Sequence, residues 1–260
     1  MDTFASRWTR PTKDRCSLVA LDSKYQWMLP LCAQYLRSHV SADIEAWTWG
    51  NNDFDPAVMD VCHRLGVSVK HLPDTGQYCA GWEARHHALC LTEYRHVFML
   101  DVDTYVVGFL PWLFQPMQSG MRLRPGELWE NYAEPAFLQF FDLPERDGGY
   151  ANYSVWFGEY DRASPQCRNL LCKTSDLLGL GVHVYVDAGV IGDQDIRNGV
   201  LHALNCSIEH IDINVNAWQS LEHQLSMGYT IVHQGEKAFT KDAAVALSRR
   251  IGVVDLFASD

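Results

Sequence analysis

The stretch YRHVFMLDVDT, residues 94–104, carries the strongest signal in the chain for both the fold and a site. Its centre, Val97–Leu100, is a run of four apolar residues, which suits a strand buried on both faces. Asp101 and Asp103 follow at once, and in an extended chain residues two apart point to the same side. This pattern predicts a buried strand that ends in a pair of carboxylates.

Two neighbouring carboxylates resist burial unless a cation lies between them and their ligand. Oxygen ligands of this kind suit Mg²⁺ or Mn²⁺. Asp101 and Asp103 therefore predict a divalent-metal site, and their position directly after a buried strand favours it. The alternative is a turn or a solvated strand end, where two aspartates spaced in this way often occur by chance.

Strands and helices alternate on either side of this stretch in the first half of the chain. Asp55 and Pro56 are typical of a helix start, and Gly66 of a helix end. The order predicts an α/β fold, a Rossmann-like single domain with a mostly parallel central sheet and helices on both faces. Ligands of such sheets bind at the carboxyl ends of the strands. The predicted strands are 17–21, 44–49, 67–72 and 97–100, and the predicted helices are 28–36, 55–65 and 82–93.

The second half has weaker periodicity. Residues 115–162 are rich in aromatic side chains, and we expect further strands at 183–191 and 229–232. Helices are expected around 218–225 and over 241–251. Because no repeat or linker interrupts the chain, residues 1–260 are predicted to form one domain.

The composition excludes several classes of protein. A formal net charge of -11 disfavours binding to nucleic acid, which concentrates Lys and Arg. No apolar run is long enough to span a bilayer, and residues 1–10 lack the apolar core of a signal peptide. None of the eight cysteines forms a C-x-x-C pair. We expect reduced thiols in a cytoplasmic protein that is free or peripheral to a membrane.

Residues 98–107, FMLDVDTYVV, resemble the "LDaDtiVv" block of GT-A glycosyltransferases, and most of all that of the glycogenin and bacterial lipooligosaccharide galactosyltransferase family. Three further stretches agree with this family in order along the chain. Residues 16–25 resemble its opening nucleotide-binding strand, residues 185–191 its "fNAGV" block, and residues 231–237 its closing "H-x-x-G-x-x-K-P-W" block.

The chain also departs from the pattern of that family. Asp187 replaces its Asn, and Ala238-Phe239 stands where the family has Pro-Trp. The spacings from His233 to Gly235 and from Gly235 to Lys237 are each one residue shorter. The resemblance is therefore stronger to the superfamily than to that particular family.

The resemblance implies a nucleotide-binding half at 1–110 and an acceptor and donor-sugar half at 111–260. It also implies a metal site and a donor site. Asp103 and His233 would hold Mn²⁺ or Mg²⁺ on the donor diphosphate, and Asp101 would contact the metal or the ribose. The alternative for His233 is a half-buried histidine that ends a strand. The residues implied at the nucleotide-sugar donor are Ala20, Asp22, Tyr25, Arg85, Asp101, Val102, Asp103, Ala188, Gly189, Gly235 and Lys237.

Several of these donor residues have structural alternatives. Asp22 is equally suited to cap a helix, and Tyr25 to pack in the core. Arg85 would otherwise lie on a solvated helix face, and Lys237 on the surface. His86 and His87 are not assigned to the metal, because neighbours on one helix turn cannot both face it.

Asp187, Asp193 and Gln194 are the candidate catalytic residues, placed by the resemblance beside the donor sugar. An inverting enzyme needs a carboxylate base, for which Asp187, Asp193 and Asp195 are candidates. The resemblance favours retention, which needs no such base. Sugars stack on aromatic faces, so Trp129, Tyr132 and Trp156 are the candidate acceptor-binding residues, with core packing as the alternative.

The function expected from the resemblance is metal-dependent transfer of a hexose from a nucleotide sugar, of which a UDP-sugar is favoured, to a glycan or other hydroxyl acceptor in glycan biosynthesis. One alternative is a non-catalytic nucleotide-sugar-binding protein on the same fold. A second is a sugar nucleotidyltransferase, which should have a Gly-rich loop after the first strand, whereas residues 21–28 contain no Gly.

Overall fold

A computed structural model describes residues 7–49, 54–72, 82–125, 132–133, 135–179, 185–186, 189–190, 192–211, 221–233 and 242. Its main feature is a seven-stranded sheet of β1 (Lys13–Asp22), β2 (Asp43–Trp49), β3 (Val67–His71), β4 (Tyr94–Asp101), β6 (Met121–Pro125), β7 (Tyr153–Asp161) and β10 (Glu209–His210). The order of these strands across the sheet is β10-β6-β7-β4-β1-β2-β3. Only β7 runs antiparallel to its neighbours, so the mostly parallel sheet predicted from the sequence is confirmed.

Helices cover both faces of this sheet. They are α1 (Leu29–His39), α2 (Pro56–Arg64), α3 (Trp82–Leu91), α4 (Pro135–Phe140), α5 (Pro165–Gly179), α6 (Asp193–Ala203) and α7 (Leu221–Ser226). On β1, Val19 and Leu21 face a core that includes α1 and α2, whereas Leu18 and Ala20 face a core that includes α3, α5 and α6. Within the described ranges, no helix is both long and apolar enough to cross a bilayer.

Local sequence signals explain the ends of the first elements. The Asp55 carboxylate accepts a hydrogen bond from the Ala57 amide at 2.7 Å, and Pro56 opens α2. Gly66 has a φ of 67°, in the left-handed region that glycine adopts without strain, and it follows α2 as expected.

The order of the strands creates a crevice. The chain steps from β1 through β2 to β3 in one direction, and β4 then pairs with the opposite edge of β1. The connections therefore leave the carboxyl ends of β1 and β4 towards opposite sides. Open α/β sheets bind ligands in the crevice between two such connections. Ala20 and Asp101 are paired in the register of these two strands, at that end of the sheet.

The predictions for the second half need corrections. The single strand expected at 183–191 is two short strands, β8 (Tyr185–Val186) and β9 (Gly189–Val190), which pair antiparallel. Asp and Gly are depleted in strand interiors, which disfavours one continuous strand over this stretch. The helix expected over 241–251 lies outside the described residues except for residue 242.

A second small sheet brings distant parts of the chain together. The strand β5 (Thr104–Val106) follows the carboxylate pair, and it pairs antiparallel with β11 (Ile231–His233). The strand expected at 229–232 is therefore present, shifted by one or two residues.

Gly199 in α6 gives a test of this packing. A Cβ at Gly199 would lie 2.2 Å from Cε2 of the Phe141 ring, which itself contacts Phe137 and Phe140. Gly199→Ala should therefore destabilise the protein by about 1–3 kcal/mol through overpacking. Thermal unfolding measures the effect as a fall in Tm.

Asn169→Ala on the exposed face of α5 is the control. Alanine favours a helix by a few tenths of a kcal/mol over asparagine, so the Tm of this variant should stay level or rise slightly. A Gly199→Ala protein that is as stable as the Asn169→Ala protein would contradict the predicted packing.

Candidate functional site

The candidate site lies in the crevice at the carboxyl end of β4. Asp101 is the last residue of β4, and Asp103 precedes β5. Arg85 in α3 points towards this crevice, with its Nη1 atom 3.0 Å from Oδ2 of Asp101. The side chains of Arg85 and Asp101 are only 11% and 22% exposed. The alternative of a solvated helix face for Arg85 is therefore wrong.

Asp193, the first residue of α6, completes a buried ionic cluster. Nε of Arg85 lies 3.2 Å from Oδ2 of Asp193, and Nε2 of His86 lies 3.4 Å from the same oxygen. Arg85 thus joins two carboxylates from separate elements, the end of β4 and the start of α6. His86 faces Asp193, in agreement with its exclusion from the predicted metal site.

The surroundings of Asp101 and Asp193 give the two carboxylates opposite pKa shifts. Burial is the main effect on Asp101, and together with the charge of Asp103 it raises the pKa to about 7, although Arg85 acts against it. Burial also acts to raise the pKa of Asp193, but Arg85 and His86 outweigh it and hold this pKa below its usual value. Asp193 is accordingly the more firmly ionised of the two.

Asp103 and His233 form the second part of the site. The pairing of β5 with β11 sets His233 opposite Thr104, and Nε2 of His233 lies 3.2 Å from Oδ1 of Asp103. The main chain of His233 is fixed by the buried amide of Gln224 in α7. Nε2 of Gln224 donates to the His233 carbonyl at 2.7 Å, and its Oε1 atom accepts from the His233 amide at 2.8 Å.

The Asp103–His233 pair fits two adjacent ligands of a divalent ion. Ligands at about 2.1 Å from an octahedral ion lie about 3 Å apart, close to the observed spacing. Across the described residues, no group of three or more His, Cys, Asp or Glu side chains could hold a metal. An ion bound by Asp103 and His233 would therefore complete its shell with oxygens of a ligand or of water, as Mg²⁺ often does with phosphates.

The start of α6 is tied to a polar network. Gln194 donates from Nε2 to Oδ1 of Asn152 at 2.8 Å, and the Tyr132 hydroxyl donates to Oδ1 of Asp195 at 2.7 Å. Asp195 in turn accepts from the Gly192 amide at 3.0 Å. Tyr132 stacks on Phe137 with ring centroids 4.2 Å apart. The predicted acceptor residue Tyr132 therefore contacts Asp195 and shares Asn152 with Gln194, with one ring face covered.

The predicted nucleoside residues at the end of β1 have structural roles. Asp22 accepts from the Lys24 amide at 3.0 Å and caps the 3-10 segment Ser23–Met28, which is the alternative that the sequence left open for it. Tyr25 packs, partly buried, against the core. Ala20 and Val102 are 5% and 6% exposed. The side chains of both residues are therefore buried.

Several predicted site residues fall outside this description. Asp187, Ala188, Gly235, Lys237 and Trp129 lie outside the described residues. Gly189 is described only as part of β9, and Trp156 only as part of β7. Sequence analysis missed Asn152, Gln224 and the contact of His86 with Asp193, because no local pattern marks an asparagine, a glutamine or a histidine that acts across the fold.

Comparison with known proteins supplies the fold family. The sequence matches no protein-family model and no curated protein. The structure is similar to a glutamine-to-glutamate active-site mutant of LgtC, with a TM-score of 0.61 and 14% identity over 91% of this chain and 95% of that chain. It is also similar to the galactosyltransferase LgtC in complex with donor and acceptor sugar analogues, with a TM-score of 0.56 and 13% identity over 93% and 95% of the two chains.

A third similar structure is the glycosyltransferase GlyE of Streptococcus pneumoniae, with a TM-score of 0.51 and 15% identity over 89% of this chain and 56% of that chain. The fold expected from the sequence is thus confirmed, and the chain has the GT-A glycosyltransferase fold.

Gln224 gives a test of the arrangement around His233. Gln224→Ala removes both hydrogen bonds to the main chain of His233, so we expect a loss of about 1–3 kcal/mol in the free energy of unfolding. Denaturant unfolding measures this loss.

Gln139→Ala is the matched control, because Gln139 is exposed in another six-residue helix, α4. This variant should stay within about 0.5 kcal/mol of the unaltered protein. Equal stabilities of the two variants would show that Gln224 does not fix His233.

Proposed function

We propose that this chain is a metal-dependent glycosyltransferase that transfers a hexose from a nucleotide sugar, a UDP-sugar in the first instance, to a hydroxyl group of a glycan. The observation that carries the proposal is the placement of Asp101, Asp103 and His233 at the carboxyl end of β4. This is the crevice where the fold predicts a ligand, and the shared fold of LgtC and GlyE is consistent with such a ligand.

The charges of the site support a divalent cation. The side chains of Asp101, Asp103 and Asp193 gather three carboxylates, whereas Arg85 brings one fixed positive charge. Among the described residues of the crevice, this excess of carboxylates favours a cation as a ligand of the site. When bound by Asp103 and His233, such an ion would neutralise charge on the departing nucleoside diphosphate.

The residues of α6 suit the other side of the reaction. Asp193 begins the helix as a firmly ionised carboxylate, which favours hydrogen bonds from sugar hydroxyls. Nε2 of Gln194 donates to Asn152, which orients the Gln194 amide at the start of α6. The mutation in the LgtC active-site mutant also replaces a glutamine, and we take Gln194 as the candidate counterpart.

The network around α6 favours retention of configuration. A general base must take up a proton from the acceptor. Asp193 resists protonation, because Arg85 and His86 hold its pKa below its usual value. Asp195 is already engaged by Tyr132 and the Gly192 amide. Two of the three carboxylates that the sequence offers as bases are therefore occupied.

The alternatives fit less well. A nucleotidyltransferase needs a glycine-rich loop after the first strand, whereas β1 leads into the glycine-free 3-10 segment Ser23–Met28. A non-catalytic binder on the same fold would bind the nucleotide sugar without turnover, and the experiment below separates it from an enzyme.

The first test is release of the nucleoside diphosphate from a panel of nucleotide sugars, with Mn²⁺ or with a chelator. We expect release from one donor, loss of release with the chelator, and a fall of about 100-fold or more in Asp103→Asn, because this variant loses a charged ligand at the leaving group. Asp60→Asn on the exposed face of α2 is the control and should keep full activity.

Metal-dependent binding of the donor without release would favour the non-catalytic binder. If the protein neither binds any UDP- or GDP-sugar nor releases a nucleoside diphosphate from one, the proposed donor site is rejected.

Gln194 gives a separate test of the reacting side. Gln194→Ala should lower kcat by about 10- to 100-fold, because an oriented polar group beside the sugar is lost. Binding of UDP, measured by calorimetry with Mn²⁺, should change by less than about threefold. An equal loss of UDP affinity would assign Gln194 to nucleotide binding, and Gln139→Ala again serves as the control.

A further inference from the structure

Two cysteines meet where α3 packs against α5. Cys90 lies in the last turn of α3 with no exposed surface, and the thiol of Cys172 in α5 lies close enough to affect its pKa. Sγ of Cys90 also lies 3.4 Å from Oγ of Ser175, which is one turn after Cys172 on the same face of α5. The Cys90 sulfur therefore points at the α5 face that carries Cys172.

The surroundings distinguish the two thiols. A hydrogen bond from Cys90 and the charge of Arg168 hold the pKa of Cys172 below its usual value, despite partial burial. Arg168 lies one turn earlier in α5 and is exposed, and Cys172 keeps 6% of its area accessible whereas Cys90 keeps none. Burial raises the pKa of Cys90. A thiolate near a cation reacts first with oxidants, and an adjacent buried thiol is suited to complete the bond.

We propose that Cys90 and Cys172 are an oxidation site at which a peroxide forms a disulfide between α3 and α5. The Cys172 thiolate attacks one oxygen of hydrogen peroxide, which gives a sulfenic acid and hydroxide. The Cys90 sulfur then attacks the sulfenic sulfur and displaces water. In total, two thiols and one hydrogen peroxide give one disulfide and two waters, and the peroxide takes up the two electrons.

The proposal does not depend on the function proposed above, but it concerns a helix of the same site. Arg85 lies in α3 before Cys90, so the disulfide would restrain the helix that carries the buried arginine. The other described cysteines lack this arrangement. Cys32 donates to the Thr104 carbonyl, and Cys62 is buried in α2. Cys167 lies within electrostatic range of both Cys206 and Cys172, so a bond from Cys167 to either of them is the competing outcome.

The test is oxidation of the folded full chain with one to five equivalents of hydrogen peroxide. Remaining thiols are blocked by alkylation, and the unreduced digest is analysed by mass spectrometry. The expected product is a peptide cross-linked between Cys90 and Cys172, which disappears on reduction. A dominant bond between Cys167 and Cys206, or recovery of Cys90 and Cys172 as alkylated thiols, would overturn the proposal.

Two variants test the order of the steps. In Cys90→Ser the sulfenic acid on Cys172 has no partner, so dimedone should label Cys172 at least about tenfold more than in the unaltered chain. In Cys172→Ser, Cys90 should stay reduced. Cys62→Ser is the control and should form the bond normally. Dimedone labelling of Cys90 in place of Cys172 would contradict the assigned order.

Discussion

The arrangement of the site depends on one buried arginine. Arg85 lies between Asp101 at the end of β4 and Asp193 at the start of α6, and it connects the sheet to a helix that comes about a hundred residues later in the chain. Burial of either carboxylate without a cation would be costly, and removal of one partner from a buried pair typically costs about 3–5 kcal/mol. Among the described residues, Arg85 in α3 is the cation in contact with both carboxylates, on the side where the connections from β1 and β4 diverge.

The first half of the fold could be predicted from the sequence because its signals are local. The apolar runs of β1 and β4, and the cap and proline at the start of α2, each identify an element without reference to its partners. The strands β6 and β7 were missed because a buried ion pair interrupts their apolar pattern. Arg122 in β6 lies 2.6 Å from Glu159 in β7 and 2.9 Å from Glu209 in β10. Such a pattern looks like a solvated segment until the partner strand is known.

The site was predicted in part for the same reason. Asp101, Asp103 and His233 were identified by their place after strands and by resemblance, and the pairing of β5 with β11 places two of them in contact. Gln224 and Asn152 act through hydrogen bonds across the fold, which no spacing in the sequence reveals. Asp22 shows the opposite case, since the same residue type suits both a ligand and a cap, and here the cap accounts for its contacts.

The two carboxylates that share Arg85 are not equivalent. Asp193 lies in the first turn of α6, where the amide groups and the helix dipole stabilise a negative charge, and His86 adds a second contact. Asp101 lies at a strand end, and burial and the neighbouring charge of Asp103 outweigh the effect of the same arginine. Asp193 therefore remains charged in the protein alone, whereas full ionisation of Asp101 near neutral pH requires a further positive charge. This difference gives the site a fixed anion on the side of α6, and on the side of β4 a carboxylate whose charge depends on its surroundings.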